Sequence, residues 1–322
     1  MTTGARRDAT VRDDGRGSSY RAFQHHAMLY SDEQEFLAGA LPLLRAGIEA
    51  DDPTFAVTAG RQTEILRESL GQDASAVQFF EPAEFYRNPV RALAAFTAMA
   101  RTLGPRPAWV VMAEDWSRYP DVFEWLRYDS ICNLAFADVD VQGYCCYDST
   151  ALSDEVIALL RRTHLKVHEG GALRENPDYT DTASFVAEID SKPLSPSPRS
   201  APSMEIRPTD LHTVRAFVTE QATRCGLAGD ALHNVLVAVT EVATNAIRHG
   251  NAPVTLRTWP DNGLVCEITD SGHWQPEDLI TWQPPQSASE TGFGLWGAGM
   301  LCDTVQVRTG TKGTTVRLRS CA

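Results

Sequence analysis

The chain has 322 residues, of which 43% are hydrophobic and 22% charged, and its formal net charge is -13. This length suits two globular domains better than one. The acidic balance disfavours direct binding to nucleic acid or to an anionic membrane, because such binding neutralises phosphates with basic side chains. The sequence contains no run of about 18 apolar residues, which a membrane span would need, and the polar N-terminus lacks a signal-peptide core. We therefore expect a cytoplasmic protein whose partners are proteins or small molecules.

Two segments without hydrophobic periodicity divide the chain. Residues 1–20 are polar and charged, which predicts a disordered leader. Residues 191–203, SKPLSPSPRSAPS, are rich in proline and serine and predict an extended linker. The sequence thus predicts one domain over 21–190 and another over 204–322.

The first domain alternates helical and strand patterns. Helices are predicted over 32–49 with a cap at Ser31 or Asp32, and over 63–70, 89–103 and 153–168, while strands are predicted over 54–58, 77–80, 108–115 and 141–148. Short apolar strands between helices indicate a parallel sheet covered on both faces, an α/β sandwich. This domain carries neither a P-loop nor a dinucleotide-binding motif, so we do not expect it to bind nucleotide.

Several residues of the first domain are candidates for a sensory site. His25 and His26 are candidate metal ligands, but no nearby Cys or Asp gives a ligand spacing, so a structural role is favoured. Cys145 lies on an apolar strand, where a packed thiol is favoured over a redox or ligand role. The blocks FQHHAMLY, FLAGALPLLRAGIEADD and CCYD resemble the MEDS sensory domain. That resemblance implies a small-molecule signal and makes His25, Tyr30, Cys145 and Asp148 the candidate sensory residues.

The first candidate site residues of the second domain lie on a long predicted helix over 228–250. Its apolar residues recur at spacings of three and four, which predicts one buried stripe. Glu241 and Asn245 stand four residues apart on a shared face, His249 continues the row, and Gly250 ends the helix. A carboxylate and a carboxamide one turn apart are candidate Mg2+ ligands, and a solvated helix face is the alternative.

Three further blocks follow in order. The predicted strand LVCEITD ends at Asp270, which can accept a hydrogen bond from the exocyclic amine of adenine or, alternatively, cap a turn. Gly292 and Gly294 then open an apolar helix, where backbone N–H groups suit a phosphate. Residues 303–319 predict a β-hairpin.

The ordered blocks EVATNAIRHG, DSG, GFGLWGAGML and KGTTVRL resemble the GHKL (histidine-kinase-like) ATPase family, and most closely the RsbW/SpoIIAB anti-sigma factor kinases. The resemblance implies a mixed sheet with helices on one face, and ATP with Mg2+ as cofactors. It makes Glu241 the general base and Asn245 the Mg2+ ligand. The implied cofactor-binding residues are Asn245, His249, Asp270, Gly272, Gly292, Gly294, Leu295 and Thr314.

The chain departs from the family pattern after Gly272. His273-Trp274 stands where a second glycine is usual, and the lid over 274–290 is short and contains proline, as in the anti-sigma branch. A MEDS domain before this ATPase resembles the RsbA-family anti-sigma regulators. That arrangement implies a sigma factor and a STAS-type anti-anti-sigma protein as partners, with phosphorylation of the latter, and a homodimer is a further candidate assembly.

Two alternatives remain open. A sensor histidine kinase needs a phosphoacceptor histidine followed by proline, and His164, His168 and His212 all lack that proline. A nucleotide-binding anti-sigma module without kinase activity is the other alternative, because His273-Trp274 alters the first glycine box.

Overall fold

The computed structural model describes residues 23–104, 106–119, 121–169, 171–273, 282, 293–311 and 313–320. These residues form one seven-stranded sheet and one five-stranded sheet, each covered by helices. The leader predicted for residues 1–20 lies outside the described residues.

The N-terminal half alternates strands and helices. In chain order its elements are β1 (Gln24–Tyr30), α1 (Glu33–Glu49), β2 (Thr54–Val57), α2 (Gly60–Leu70), β3 (Gln78–Phe80), α3 (Pro89–Thr102), β4 (Ala108–Ala113), α4 (Val122–Ala135), β5 (Val141–Asp148), α5 (Asp154–Arg162), β6 (Lys166–Glu169), β7 (Ala172–Glu175) and α6 (Thr182–Ser191). The strands associate in the order β3-β2-β4-β5-β1-β6-β7. All neighbours are parallel except β6 and β7, so the predicted parallel sheet gains one antiparallel edge strand.

Both faces of this sheet are buried because helices pack on each of them, and successive side chains of a strand point to opposite faces. Ala27 and Cys145 join the core beneath α3 to α6, whereas Met28 and Cys146 join the core beneath α1 and α2. The predicted α/β sandwich is confirmed. The strand β1 lies between β5 and β6 and is therefore interior, which makes its two faces the walls of both cores.

The helix predicted over 153–168 ends earlier than expected. The helix α5 stops at Arg162, and His168 lies in β6, where it pairs with Met28. The Thr163 hydroxyl donates to the Leu160 carbonyl at 2.8 Å, and the Asn176 amide donates to the His164 carbonyl at 2.8 Å. These side chains satisfy the last carbonyls of the helix, and strand pairing with β1 then takes over.

The C-terminal half consists of β8 (Ser203–Ile206), α7 (Leu211–Arg224), α8 (Gly229–His249), β9 (Val254–Pro260), β10 (Leu264–Asp270), α9 (Phe293–Leu301), β11 (Thr304–Gly310) and β12 (Gly313–Ser320). Its strand order is β11-β12-β10-β9-β8, and each pair is antiparallel. The α/β class is confirmed, but the sheet is antiparallel rather than mixed. The reason is local, since β9 and β10 form a hairpin with a tight turn at Asn262-Gly263, and β11 and β12 pair from Gly310 with Gly313 onward.

The three C-terminal helices pack on one face of the antiparallel sheet, with Val214 and Val239 fully buried in that core. Residues of the predicted linker lie on the other face. Arg317 donates to the Ser195 carbonyl at 2.7 Å, and Arg257 donates to the Ser197 hydroxyl at 2.7 Å. None of the described helices combines the length and apolar character that a membrane crossing requires.

We expect Leu44→Ala to destabilise the N-terminal half strongly. Leu44 lies on α1 and is 0% exposed, so truncation leaves a cavity and should cost about 2–5 kcal/mol. The matched change Leu134→Ala, at a position 50% exposed on α4, should cost under about 0.5 kcal/mol. Urea unfolding followed by circular dichroism measures both, and equal midpoints for the two variants would contradict this core assignment.

Candidate functional site

The helix α8 presents the polar row predicted from its sequence. Its buried stripe, including Val235, Val239 and Val242, packs on the antiparallel sheet, which turns the opposite face outward. Glu241 is exposed on that helix, and Asn245 is half-buried one turn later. The side chains of a carboxylate and a carboxamide thus lie together at the edge of the core.

The first turn of α9 lies directly against these two side chains. A Cβ built on Gly294 would sit 2.9 Å from the Asn245 amide nitrogen and 3.2 Å from a Glu241 carboxylate oxygen. A side chain at position 294 would therefore have to displace the ends of the Asn245 and Glu241 side chains. The first turn of α9, which is the positive end of the helix dipole, therefore lies beside Glu241 and Asn245.

Asp270 forms a second group of contacts at the end of β10. Its Oδ1 accepts from the Gly272 N–H at 2.7 Å and from the Asn251 N–H at 3.4 Å. A Cβ on Gly250 would lie only 2.4 Å from the Asp270 carboxyl carbon, so the end of α8 packs onto this carboxylate. The turn geometry orients Asp270 and ties it to the same helix that carries Asn245.

Thr314 of β12 joins the Asp270 group from the neighbouring strand. Thr314 pairs with Asp270 in the sheet, and its hydroxyl donates to the Gly272 carbonyl at 2.9 Å. The candidate site extends from Asp270 to Glu241 along the last nine residues of α8. This part of the helix is about 14 Å long at 1.5 Å per residue.

The remaining predicted site residues are placed less centrally. His249 is exposed in the last turn of α8, and Leu295 is half-buried on α9. His273 is exposed after the Gly272 turn, whereas Gly292, Trp274 and the predicted lid apart from Trp282 lie outside the described residues.

The far end of α9 is held by the N-terminal half. Asn88 donates through its side-chain amide to the carbonyls of Gly299 at 3.1 Å and Cys302 at 2.9 Å. The Arg91 Nε donates to the Met300 carbonyl at 2.7 Å. The last carbonyls of a helix have no partner inside it, and here the first turn of α3 supplies partners.

Sequence reasoning missed this junction. Asn88 followed by Pro89 is a typical helix start, and the Asn88 side chain does accept from the Arg91 N–H at 2.8 Å. The cap is therefore visible in the sequence. The hydrogen bonds that the same side chain donates to α9, more than 200 residues away, leave no local pattern in the sequence.

A buried charge network runs beside this junction. The Glu124 carboxylate accepts from Arg127 at 2.8 Å and from Arg308 of β11 at 2.9 Å. Burial opposes ionisation of Glu124, but the two guanidinium groups outweigh it and hold its pKa below the usual value. The Trp282 ring, 5% exposed, lies 5.3 Å from the Arg127 guanidinium. Thus one described residue of the predicted lid packs into the interface between the two halves.

The four candidate sensory residues divide between the two faces of the first sheet. His25 and Cys145 lie together, with 3.1 Å between His25 Nε2 and Cys145 Sγ. Tyr30 lies on the opposite face, where its hydroxyl oxygen accepts from Gln62 at 3.3 Å. Asp148 accepts from the Thr150 N–H at 2.9 Å and shapes a turn.

An apolar cavity opens beside His25 and Cys145. Its volume is about 60 Å³, and its walls include Phe96, Met112 and Phe136. His26 points away from it and its pKa is lowered by burial to about 3. The cavity therefore presents a mostly apolar surface with polar groups at one wall.

Two family models match the chain. The model described as the methanogen/methylotroph, DcmR sensory domain (MEDS) matches residues 24–165. The model described as the histidine kinase-like ATPase domain matches residues 204–320. No curated protein gives a significant match.

Thirteen chains of solved structures match the chain. One is the crystal structure of the RsbU and RsbW domains of Rv1364c from Mycobacterium tuberculosis, at 22% identity over 37% of this chain, with a TM-score of 0.28. This chain covers 32% of that chain, about a third of its length.

We expect Asn88→Asp to loosen α9 while preserving α3. Aspartate keeps the oxygen that caps α3, but it cannot donate to the Gly299 and Cys302 carbonyls and adds a negative charge beside them. Hydrogen exchange of the Phe293–Leu301 amides should accelerate at least about tenfold, which corresponds to about 1.4 kcal/mol.

The control for this variant is Asp32→Asn, which makes the reverse exchange at the N-cap of α1. It should leave exchange in α9 unchanged. If Asn88→Asp also leaves α9 exchange unchanged, the two hydrogen bonds do not hold α9.

Proposed function

We propose that this chain, which joins a MEDS sensory domain to a histidine kinase-like ATPase domain, is an ATP-dependent anti-sigma regulator. The ATPase domain binds ATP with Mg2+, holds a sigma factor inactive, and phosphorylates a serine or threonine of a STAS-type anti-anti-sigma protein. The MEDS domain reports a small-molecule signal to that site. The contact of α9 with both the Glu241–Asn245 row and α3 supports this proposal.

The residues along α8 fit a magnesium nucleotide. Gly294 lies against Asn245 and Glu241 in the first turn of α9, and the N-terminus of a helix suits a phosphate. Asp270, at the other end of the row, is an oriented carboxylate suited to the adenine amine. Asn245 would hold Mg2+ through its side-chain oxygen, and the bound ion supplies charge neutralisation on the phosphates.

Glu241 is placed to act on the attacking hydroxyl. In phosphoryl transfer the hydroxyl oxygen of the substrate forms a bond to the γ-phosphorus, the bond from that phosphorus to the β–γ bridging oxygen breaks, and ADP leaves. Glu241 orients the hydroxyl and accepts its proton. Its exposed position on α8 lets a protein substrate reach it.

Regulation follows from the shared helix. A change in the MEDS domain that shifts α3 alters the hydrogen bonds of Asn88 and Arg91, and thus the position of α9 against Asn245. By linkage, nucleotide bound at the other end of α9 must in turn bias the MEDS domain. The contact of Trp282 with Arg127 also joins the predicted lid to the MEDS domain.

The positions of the candidate phosphoacceptors disfavour a sensor histidine kinase. His164 is 0% exposed, and His168 lies on β6, so neither is presented on a helix surface. His212 is exposed in the first turn of α7 but lacks the following proline of such sites. A binding module without kinase activity keeps the same nucleotide site, and the next experiment separates the two.

We expect Glu241→Gln to abolish phosphoryl transfer and to leave ATP binding within about threefold, since the amide keeps the shape but cannot accept the proton. The assay incubates the chain with labelled ATP and a panel of STAS proteins, and calorimetry measures nucleotide affinity. Label on the STAS protein should be acid-stable, because phosphoserine and phosphothreonine survive acid and phosphohistidine does not.

Glu220→Gln is the matched control, because Glu220 lies on α7, where it pairs with Arg224 at 2.6 Å, and is 57% exposed. It should transfer phosphate normally. A Glu241→Gln chain that still labels its substrate would exclude Glu241 as the base. Tight nucleotide binding by the unchanged chain without transfer to any STAS protein would favour the module without kinase activity.

A further inference from the structure

The N-terminal half contains a buried cluster of four metal-ligating side chains. His25 of β1, Asp129 of α4, Cys145 of β5 and His164, which follows α5, place one ligand atom each within 4.8 Å of one another. All four side chains are buried, with relative exposures from 0% to 7%. They come from four separate segments, so their meeting results from the sheet order and the packing of α4.

The separations approach those of a four-coordinate site. His25 Nε2 lies 3.1 Å from Cys145 Sγ and 3.4 Å from Asp129 Oδ1, and His164 Nε2 lies 3.6 Å from Asp129 Oδ2. Zinc bonds of about 2.0–2.3 Å in a tetrahedron place ligand atoms about 3.3–3.8 Å apart. Small side-chain movements therefore bring the four atoms around one ion.

Hydrogen bonds around the cluster direct both imidazoles toward its centre. His25 Nδ1 donates to the Asn133 Oδ1 at 3.1 Å, and Asn133 is itself oriented because its amide donates to the Thr163 carbonyl at 2.8 Å. His164 Nδ1 donates to the Leu160 carbonyl at 2.9 Å. With protons on Nδ1, Nε2 is the nitrogen of each ring that would bind an ion, which would displace any proton there, as in metal-bound histidines.

His164 and Asp129 show further signs of an incomplete site. Among the described residues, His164 Nε2 is buried without a hydrogen-bond partner. The Asp129 Oδ2 accepts from the Tyr147 hydroxyl at 3.1 Å and from the Thr163 hydroxyl at 2.6 Å. These bonds fix the carboxylate and leave Oδ1 facing His25.

We propose that His25, Asp129, Cys145 and His164 form a Zn2+ site in the MEDS domain. The ligand set of two imidazoles, one thiolate and one carboxylate suits zinc and not Mg2+ or Ca2+, which take oxygen ligands. One thiolate and one carboxylate balance the charge of the ion, so the buried site is neutral. Binding releases the thiol proton of Cys145.

The site would join β1, β5, α4 and the end of α5 at the wall of the apolar cavity, which His25, Asp129 and Cys145 also line. Metal binding would therefore stabilise the same elements that enclose the cavity. A small molecule in the cavity would then lie beside the zinc ligands.

The test measures metal binding by the full chain, purified without chelator and with any histidine tag removed. Mass spectrometry of metals should find about one zinc per chain. Replacement of zinc by cobalt(II) should give the intense near-ultraviolet thiolate-to-cobalt band together with the visible bands of tetrahedral cobalt. Cys145→Ser should lose the thiolate band and bind zinc at least about 100-fold more weakly, with circular dichroism reporting whether it is folded.

Cys146→Ser is the matched control, because Cys146 is the next residue on β5 and faces the opposite core. It should keep both zinc and the thiolate band. Asn133→Ala, which leaves all four ligands in place, should weaken zinc binding by about 10- to 100-fold. A folded, unchanged chain that binds neither zinc nor cobalt in a one-to-one ratio, or that shows no thiolate band, would overturn the proposal.

Discussion

The carbonyl groups at the end of α9 are the acceptors on which the arrangement of the two domains depends. A helix of nine residues leaves its last carbonyls without internal partners, and water or another segment must satisfy them. Here Asn88 and Arg91 of the MEDS domain do so, at distances of 2.7 to 3.1 Å. Each bond contributes only about 1 kcal/mol, but an unpaired buried carbonyl costs more. The same helix begins against Asn245, so its position cannot change at one end alone.

The buried charges near α9 make this junction specific. Glu124 and Arg127 of the MEDS domain and Arg308 of the ATPase domain are each 10% exposed or less. A shifted docking that broke the Glu124–Arg308 pair but kept Glu124 or Arg308 buried would leave an uncompensated charge, which costs several kcal/mol. Nearby, Gly299 approaches Val90 so closely that a Cβ would lie 2.7 Å from it. The close contacts and the buried charges therefore favour this one docking geometry over a flexible arrangement.

Much of the local structure could be predicted from the sequence. The Asp32 cap of α1, the buried stripe of α8, and the β11–β12 hairpin each leave a pattern within about 20 residues, and the structure confirms them. The strand β1 was not assigned, since a strand buried on both faces does not alternate and His25-His26 interrupts its apolar run. The predicted helix to His168 was wrong because periodicity cannot detect the hydrogen bond from the Asn176 side chain to the Arg161 carbonyl at the end of α5.

The features that could not be predicted from the sequence depend on contacts between distant segments. Sequence spacing gave His25 no nearby Cys or Asp, yet β1 lies beside β5 and under α4, which brings Cys145 and Asp129 to it. The roles of Asn88, Arg91 and Glu124 likewise depend on how the domains dock. In the ATPase domain the ordered motifs were more informative, because Glu241, Asn245 and Asp270 are all tied to α8 or its end.

Hydrogen exchange of the full chain with and without a non-hydrolysable ATP analogue and Mg2+ tests the coupling through α9 most directly. Nucleotide at the α8–α9 site should slow exchange in α9 and also in Pro89–Thr102 of the MEDS domain, which holds its far end. Slowed exchange confined to residues 204–320, with α3 unchanged, would contradict the claim that the two domains share one responsive helix.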